Sequence, residues 1–269
     1  MKIILSRKGF DSSNGGCPSP IMPDGTLLSM PIPSDDDNDV PYSDISYEGS
    51  SYAEILKQIS PRKTYKKCHL DPDIRDNRLK KPSGWRPAFG QMGAAQGLLA
   101  NAGVEVGDIF LFFGWFRHIE ETDNGYRFVP RNPDNFYYGN DMQVVFGYMQ
   151  VGEIVTDQEV IKKYHWHPHS SALHTGGVNN TLYLLAERLS LNQSMRGYGT
   201  LDYRKDRVLT MKDKGRATWN DYDFLMPKHV YGNKKNSAKT GGLYYAGIWQ
   251  ELVVYESDGL IEWTKKLLS

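Results

Sequence analysis

The sequence predicts an α+β fold in which a mixed sheet carries peripheral helices and long loops. Three observations point there. Two long apolar runs, residues 107–116 and 144–155, read as buried strands rich in β-branched and aromatic side chains. Two helix patterns end the chain's first hundred residues and its last dozen. Between the regular segments lie polar stretches dense in glycine, proline, serine and aspartate, which are loop signals.

Taken in order, residues 2–6 read as a first strand, and Arg7–Pro20 as a long polar loop. Residues 25–32 form a short strand closed by prolines. An acidic stretch follows, with Asp35, Asp36, Asp37, Asp39, Asp44 and Glu48 and no basic residue among them; it reads as a solvated surface loop. Residues 51–59 are a short helix. From Lys57 to Arg86 the charge reverses, with ten basic residues against Asp71, Asp73 and Asp76. That block either faces phosphates or balances the acidic segment before it.

Residues 88–102 read as a helix with small residues on one side, stopped by Gly103. The strands 107–116 and 144–155 are expected to be sheet neighbours. The excursion 117–143 between them turns at Asp123-Asn124-Gly125. Residues 181–189, 206–210 and 249–255 complete the strands. The tail is an amphipathic helix with Asp258 as its N-cap. No repeat and no composition shift divides the chain, so residues 1–269 read as one domain.

Composition narrows the function. The chain has 269 residues, 39% of them hydrophobic, which is enough for a sizeable core. Its 32 basic and 32 acidic side chains cancel, which excludes a uniformly basic nucleic-acid binder and leaves a local basic face open. Two cysteines, Cys17 and Cys68, make no disulfide framework. No apolar run approaches the roughly 20 residues of a membrane span. A cytoplasmic protein without a membrane partner is expected.

The segment 88–157 places a helix before Gly107-Asp108, then a hydrophobic strand, then a second strand ending in Val151-Gly152-Glu153-Ile154-Val155. This order resembles the PUA-like superfamily, with its EVE and ASCH members. The resemblance implies a small, partly closed β-barrel core over residues 88–157 and binding of RNA or modified DNA bases. A second likeness spans most of the chain. The opening LSRKGFDSSNGGCPSPIMPDGTLLSMPIP, the block FGQMGAAQGLLANAGVEVGDIFLFFGWFR, and the later VVFGYMQVGEI, HPH and NTLYL resemble the third type of nucleotide-modification-associated domain. That resemblance implies a place in bacterial or phage systems that modify nucleic-acid bases, among other base-modification proteins. It supplies no catalytic assignment and no cofactor.

Three constellations carry candidate chemistry. In the first loop, Arg7 and Lys8 suit a phosphate or carboxylate, Asp11 a base or an acceptor of a nucleobase N–H, and Ser12 a contact in an anion nest around Gly15-Gly16. The competing reading is a structural loop wrapping the sheet edge. In the second, His165, His167 and His169 alternate, with His174 nearby. His167 and His169 are the acid–base candidates there. No metal is expected, because Pro168 breaks strand geometry and no fourth ligand is near. In the third, Trp115 and Arg117 suit stacking on and forking to a base, joined by Trp85 and Arg86, unless the strand is buried on both faces and is simply core. His69 and Asp71 form a further acid–base pair. Cys17 has no sequence neighbour that would activate it.

Two function classes follow: a module that recognises or processes a nucleobase or nucleotide, including an enzyme using Asp/His acid–base chemistry, or a non-catalytic scaffold. Clustering of Arg7, Asp11, Trp115 and His167 in one pocket favours the first; dispersal favours the second.

Overall fold

The computed structural model describes residues 1–75, 81–232, 243–245 and 250–269. Asp76, Arg78 and Lys80 of the basic block, and Trp249 at the start of the last expected strand, lie outside the described residues.

A mixed sheet organises the chain. Its main path runs Glu251–Val254, Ile3–Arg7, Ile109–Thr122, Met142–Val155, Thr181–Leu185, Ala88–Gln91. The first strand lies antiparallel to Glu251–Val254 and parallel to Ile109–Thr122, with Leu5 opposite both Leu252 and Leu111. The two longest strands are antiparallel neighbours, as their apolar runs predict, and a bulge at Phe146 shifts their register. Among the described residues this path does not close into a barrel, so the α+β mixed sheet is seen and the partly closed barrel expected for residues 88–157 finds no support in it.

Both faces of the sheet are buried, which is why the long strands read as continuous apolar runs. Ile3, Leu5, Leu111 and Phe113 pack on one face with Trp219, Tyr245 and Leu267. Ile4, Phe110, Phe112 and Phe116 pack on the other with Phe89, Met149 and Tyr183. A third cluster gathers Phe10, Tyr42, Ile55, Leu56 and Cys68 around the helix Tyr52–Ile59. Ser51 and Glu54 cap that helix reciprocally. No helix among the described residues is long and apolar enough to cross a membrane.

Four expectations change. Residues 88–102 divide into the strand Ala88–Gln91 and the helix Gly93–Asn101. Gly93 has φ +61°, which ends one element and starts the other. The stretch 25–32 forms isolated bridges at Thr26 and Leu27 and reaches a strand only at Ile32–Pro33, while Ser19 and Pro20, expected as loop, open the strand Ser19–Ile21, which pairs with the far end of Ile109–Thr122. The segment 206–210 holds a 3-10 turn, Lys205–Arg207, and single bridges at Val208 and Thr210. The last helix, Asp258–Leu268, is capped by Ser257, whose side chain accepts from the Leu260 N–H, and Asp258 is its first residue.

Candidate functional site

The first strand delivers Arg7 and Lys8 to the end of the sheet, and the loop beyond them borders a cleft. On its other sides stand Ile32–Ser34, His69 and Asp71, Gly90–Met92, and His169 with His174. The cleft measures about 410 Å³, within the ordinary range for small-molecule sites.

The loop is shaped by Asp11. Its Oδ1 accepts from the backbone N–H groups of Ser13 and Asn14, and its Oδ2 lies 3.7 Å from the Arg7 guanidinium. Lys8 reaches Glu251 at 3.2 Å and sits 4.3 Å over the Phe89 ring. The same buried Glu251 oxygen accepts from Ser6 and Gln91, so three elements anchor one carboxylate behind the cleft wall.

At the inner end four histidines and three carboxylates meet. Gly90 donates its N–H to Asp71 Oδ1 at 2.9 Å, and His167 Nε2 faces the same oxygen at 3.3 Å. Asp71 Oδ2 lies 4.0 Å from His69 Nε2 and 3.9 Å from His169 Nε2. His69 Nδ1 looks at Asp39 Oδ1, 3.6 Å away, and that buried oxygen has no hydrogen-bond partner. His174 Nδ1 lies 3.1 Å from Asp36 Oδ2, which also accepts from Ser171 Oγ. His169 packs directly on Gly90: a Cβ there would stand 2.2 Å from the ring. Gly90 therefore serves the strand by having no side chain, not a helix–helix contact.

Burial by itself raises a carboxylic pKa and lowers an imidazole one. For Asp71 burial is outweighed by the hydrogen bond and charge of His167, with His169 and Lys8 adding, and the carboxyl is held well below the usual range. Burial likewise opposes ionisation of Asp36 and Asp39, yet Ser171 and His69 respectively carry each below its ordinary value. Burial pushes His169 well below 6.5 and lowers His174 as well. The inner cleft thus sets ionised carboxylates beside two imidazoles, His169 and His174, whose protonation burial disfavours.

The sequence-predicted residues fall into three groups. Arg7, Lys8, Asp11 and His169 line the cleft, with His69 and Asp71 of the lesser pair. His167 stands behind Asp71 and orients it. The others lie elsewhere. Ser12 accepts from the Arg216 guanidinium, outside the cleft lining. Trp115 lines a second cleft with Arg131, Asp141 and Arg216, whose guanidinium carbon is 3.8 Å from the ring centre. Arg117 is spent on the Val129 carbonyl, at 2.7 and 3.1 Å. Trp85 donates to Asp73 at 2.7 Å, and Arg86 pairs with Glu153 at 3.4 Å. The strand 109–122 therefore does not wall the cleft: its phenylalanines are used in the core on both faces, and Trp115 faces the second cleft. Cys17 is half-buried beside Tyr65, and burial raises its thiol pKa, which suits a structural residue.

Asp36 and Asp39 were masked in the sequence by their acidic neighbours, which gave them a solvent-exposed reading. Asp39 is 6% exposed and turned to His69. Gln91 and Glu251 carry no local motif at all.

A family model described as nucleotide modification associated domain 3 matches residues 2–254. Neither the curated proteins nor the solved structures contain a match to the chain.

Proposed function

The chain belongs to the nucleotide modification associated domain 3 family, and from that premise we propose that its cleft recognises and processes a nucleotide or nucleobase. One observation carries the reading: the Arg7/Lys8 loop and the His–Asp cluster, far apart in sequence, border the same cleft. Arg7 offers a planar fork suited to a phosphate at the outer end. Asp11 holds that fork through the loop it shapes. Asp71 and His169 meet the reacting part of the ligand at the inner end, with His167 fixing Asp71 from behind. The net charge of zero fits a local cationic loop better than a broad nucleic-acid surface. Other base-modification proteins are its partners under this reading.

Of Arg7, Asp11, Trp115 and His167, the first two share the cleft, His167 stands behind it and Trp115 lies apart. The joint presence of Arg7, Asp11, His69, Asp71 and His169 supports processing or recognition over a scaffold, because a scaffold has no use for a convergent set of charged and buried groups. The test is product analysis. The full chain is incubated separately with nucleoside monophosphates, nucleoside triphosphates, and single- and double-stranded DNA and RNA, followed by chromatography and mass determination. A mass change in one arm supports processing and names the substrate class. Retention without a mass change reduces the claim to recognition. Neither binding nor product in any arm overturns it.

A further inference from the structure

We propose that His69, His169 and His174 hold a divalent transition-metal ion at the inner end of the cleft, with Asp71 Oδ2 beside two of them. This goes beyond the nucleotide reading and does not depend on it. One ring nitrogen from each histidine lies within 4.8 Å of the others.

The outer hydrogen bonds decide which nitrogens these are for His169 and His174. Gln158 Nε2 donates to the carbonyls of Thr156 and Asn180, so its Oε1 must accept from Asn180 Nδ2. Asn180 Nδ2 donates to the His169 carbonyl as well. Asn180 Oδ1 is then the atom 2.7 Å from His169 Nδ1, and that nitrogen must carry the proton. His169 Nε2 is left with a lone pair aimed at Asp71 Oδ2. His174 follows the same logic: the Ser171 hydroxyl gives its proton to Asp36, so His174 Nδ1, 2.9 Å from Ser171 Oγ and 3.1 Å from Asp36 Oδ2, meets only acceptors and is the donor, which leaves Nε2 bare. His69 turns Nδ1 to the unpartnered oxygen of Asp39 and Nε2 to Asp71. Acceptors behind ligating histidines are the usual way a protein sets ring orientation and tautomer at a metal.

His167 differs, and the difference is informative. Its Nδ1 accepts from the His169 N–H, so its proton sits on Nε2, against Asp71 Oδ1. It is a positioning residue that occupies one carboxylate oxygen and leaves Oδ2 for the cluster. One nitrogen from each of the three rings thus comes within 4.8 Å of the others, and Asp71 Oδ2 stands beside two of them, His69 and His169. Such an arrangement repels itself unless a cation lies between. Imidazole-rich donors with one carboxylate suit zinc and its transition-metal neighbours better than magnesium or calcium. Metal–nitrogen bonds of 2.0–2.1 Å place tetrahedral donors about 3.3 Å apart. The ring nitrogens, within 4.8 Å of one another, and Asp71 Oδ2, 3.9 and 4.0 Å from two of them, close toward that separation when the ion binds.

The run His165, His167, His169 offers no fourth ligand within its own segment. The fold selects one member of that run and adds two histidines from other segments.

The test uses the full chain stripped with a chelator and titrated with Co²⁺, read by visible absorption and by elemental analysis after dialysis. One equivalent per chain is expected, with competition by Zn²⁺. His169→Gln and His69→Gln should each weaken binding more than tenfold, and Asp36→Asn by 10–100-fold. His165→Gln, on an exposed residue, should leave it unchanged. Circular dichroism checks that each variant folds, and His69→Gln serves if the more buried His169 variant does not. Absence of a stoichiometric ion in the folded, unaltered chain, or equal binding by His69→Gln, would overturn the proposal and leave a hydrogen-bonded His–Asp network.

Discussion

Asn180 Oδ1 lies 2.7 Å from His169 Nδ1, and the Asn180 amide is itself held by Gln158 Oε1 at 2.9 Å and by the His169 carbonyl at 3.0 Å. A buried amide with three hydrogen bonds is thus the device that aims the deepest ring of the cleft. Asn180→Leu removes all three and strands their partners. Unsatisfied buried polar groups cost about 1–3 kcal/mol. Chemical denaturation of the variant should show a loss of at least that size, whereas a change within experimental error would mean the amide is dispensable.

Gly90 makes a second prediction. A methyl group at this position would stand 2.2 Å from His169 Cδ2. The strand is paired to Thr181–Leu185 and cannot retreat freely, so the ring must move. Gly90→Ala should lower stability by about 1–3 kcal/mol, the usual penalty for overpacking. It should also weaken ligand binding in the cleft. A Gly90→Ala protein with unaltered melting temperature and binding would show that the ring has room to move.

His118 predicts a pH dependence away from the cleft. It is buried beside Tyr138 and Tyr203, and burial pushes its pKa from 6.5 down to about 4. The folded value lies below the unfolded one, so the unfolded chain takes up the proton first. The stabilising contribution is complete above pH 6.5 and is lost as pH falls from there toward 4. Thermal melts across that window should fall more steeply for the natural chain than for His118→Phe. Parallel curves would refute the assignment.

Trp115 separates the two clefts. It stacks under Arg216 and borders the Arg131/Asp141 depression, not the His–Asp cleft. Trp115→Phe should therefore leave nucleotide affinity within about twofold, or about 0.4 kcal/mol. A tenfold loss measured by titration would place the aromatic strand back in the binding site.

Much of the frame is legible in the sequence, and the reasons are local. The runs Ile109–Phe116 and Val144–Met149 are apolar without interruption, so strand identity and pairing follow from composition alone. Ser51-x-x-Glu54 announces its helix. Gly90 misleads because glycine and alanine around it resemble a close-packed helix face, whereas the strand Ala88–Gln91 needs the missing side chain for His169. Arg7, Lys8, Asp11 and His169 are visible as chemistry-bearing residues, but nothing in their spacing joins them. The joining is done by pairs more than 100 positions apart, such as Asp36 with His174 and Gln91 with Glu251. Periodicity has no access to such contacts, so an acidic run reads as solvent-facing even where two of its members hold histidines.

The most direct test is a binding titration at fixed salt comparing the natural chain, Arg7→Ala and Asp11→Asn against the nucleotide or oligonucleotide retained in product analysis, with thermal melting of each. Arg7→Ala should weaken binding by about 1.5–3 kcal/mol, the range for a charge-assisted hydrogen bond, with little change in melting temperature. Asp11→Asn keeps an acceptor for the Ser13 and Asn14 N–H groups, so it should alter ligand preference more than stability. Unchanged binding by Arg7→Ala together with a large drop in melting temperature would contradict the cleft's proposed role and make the loop purely structural.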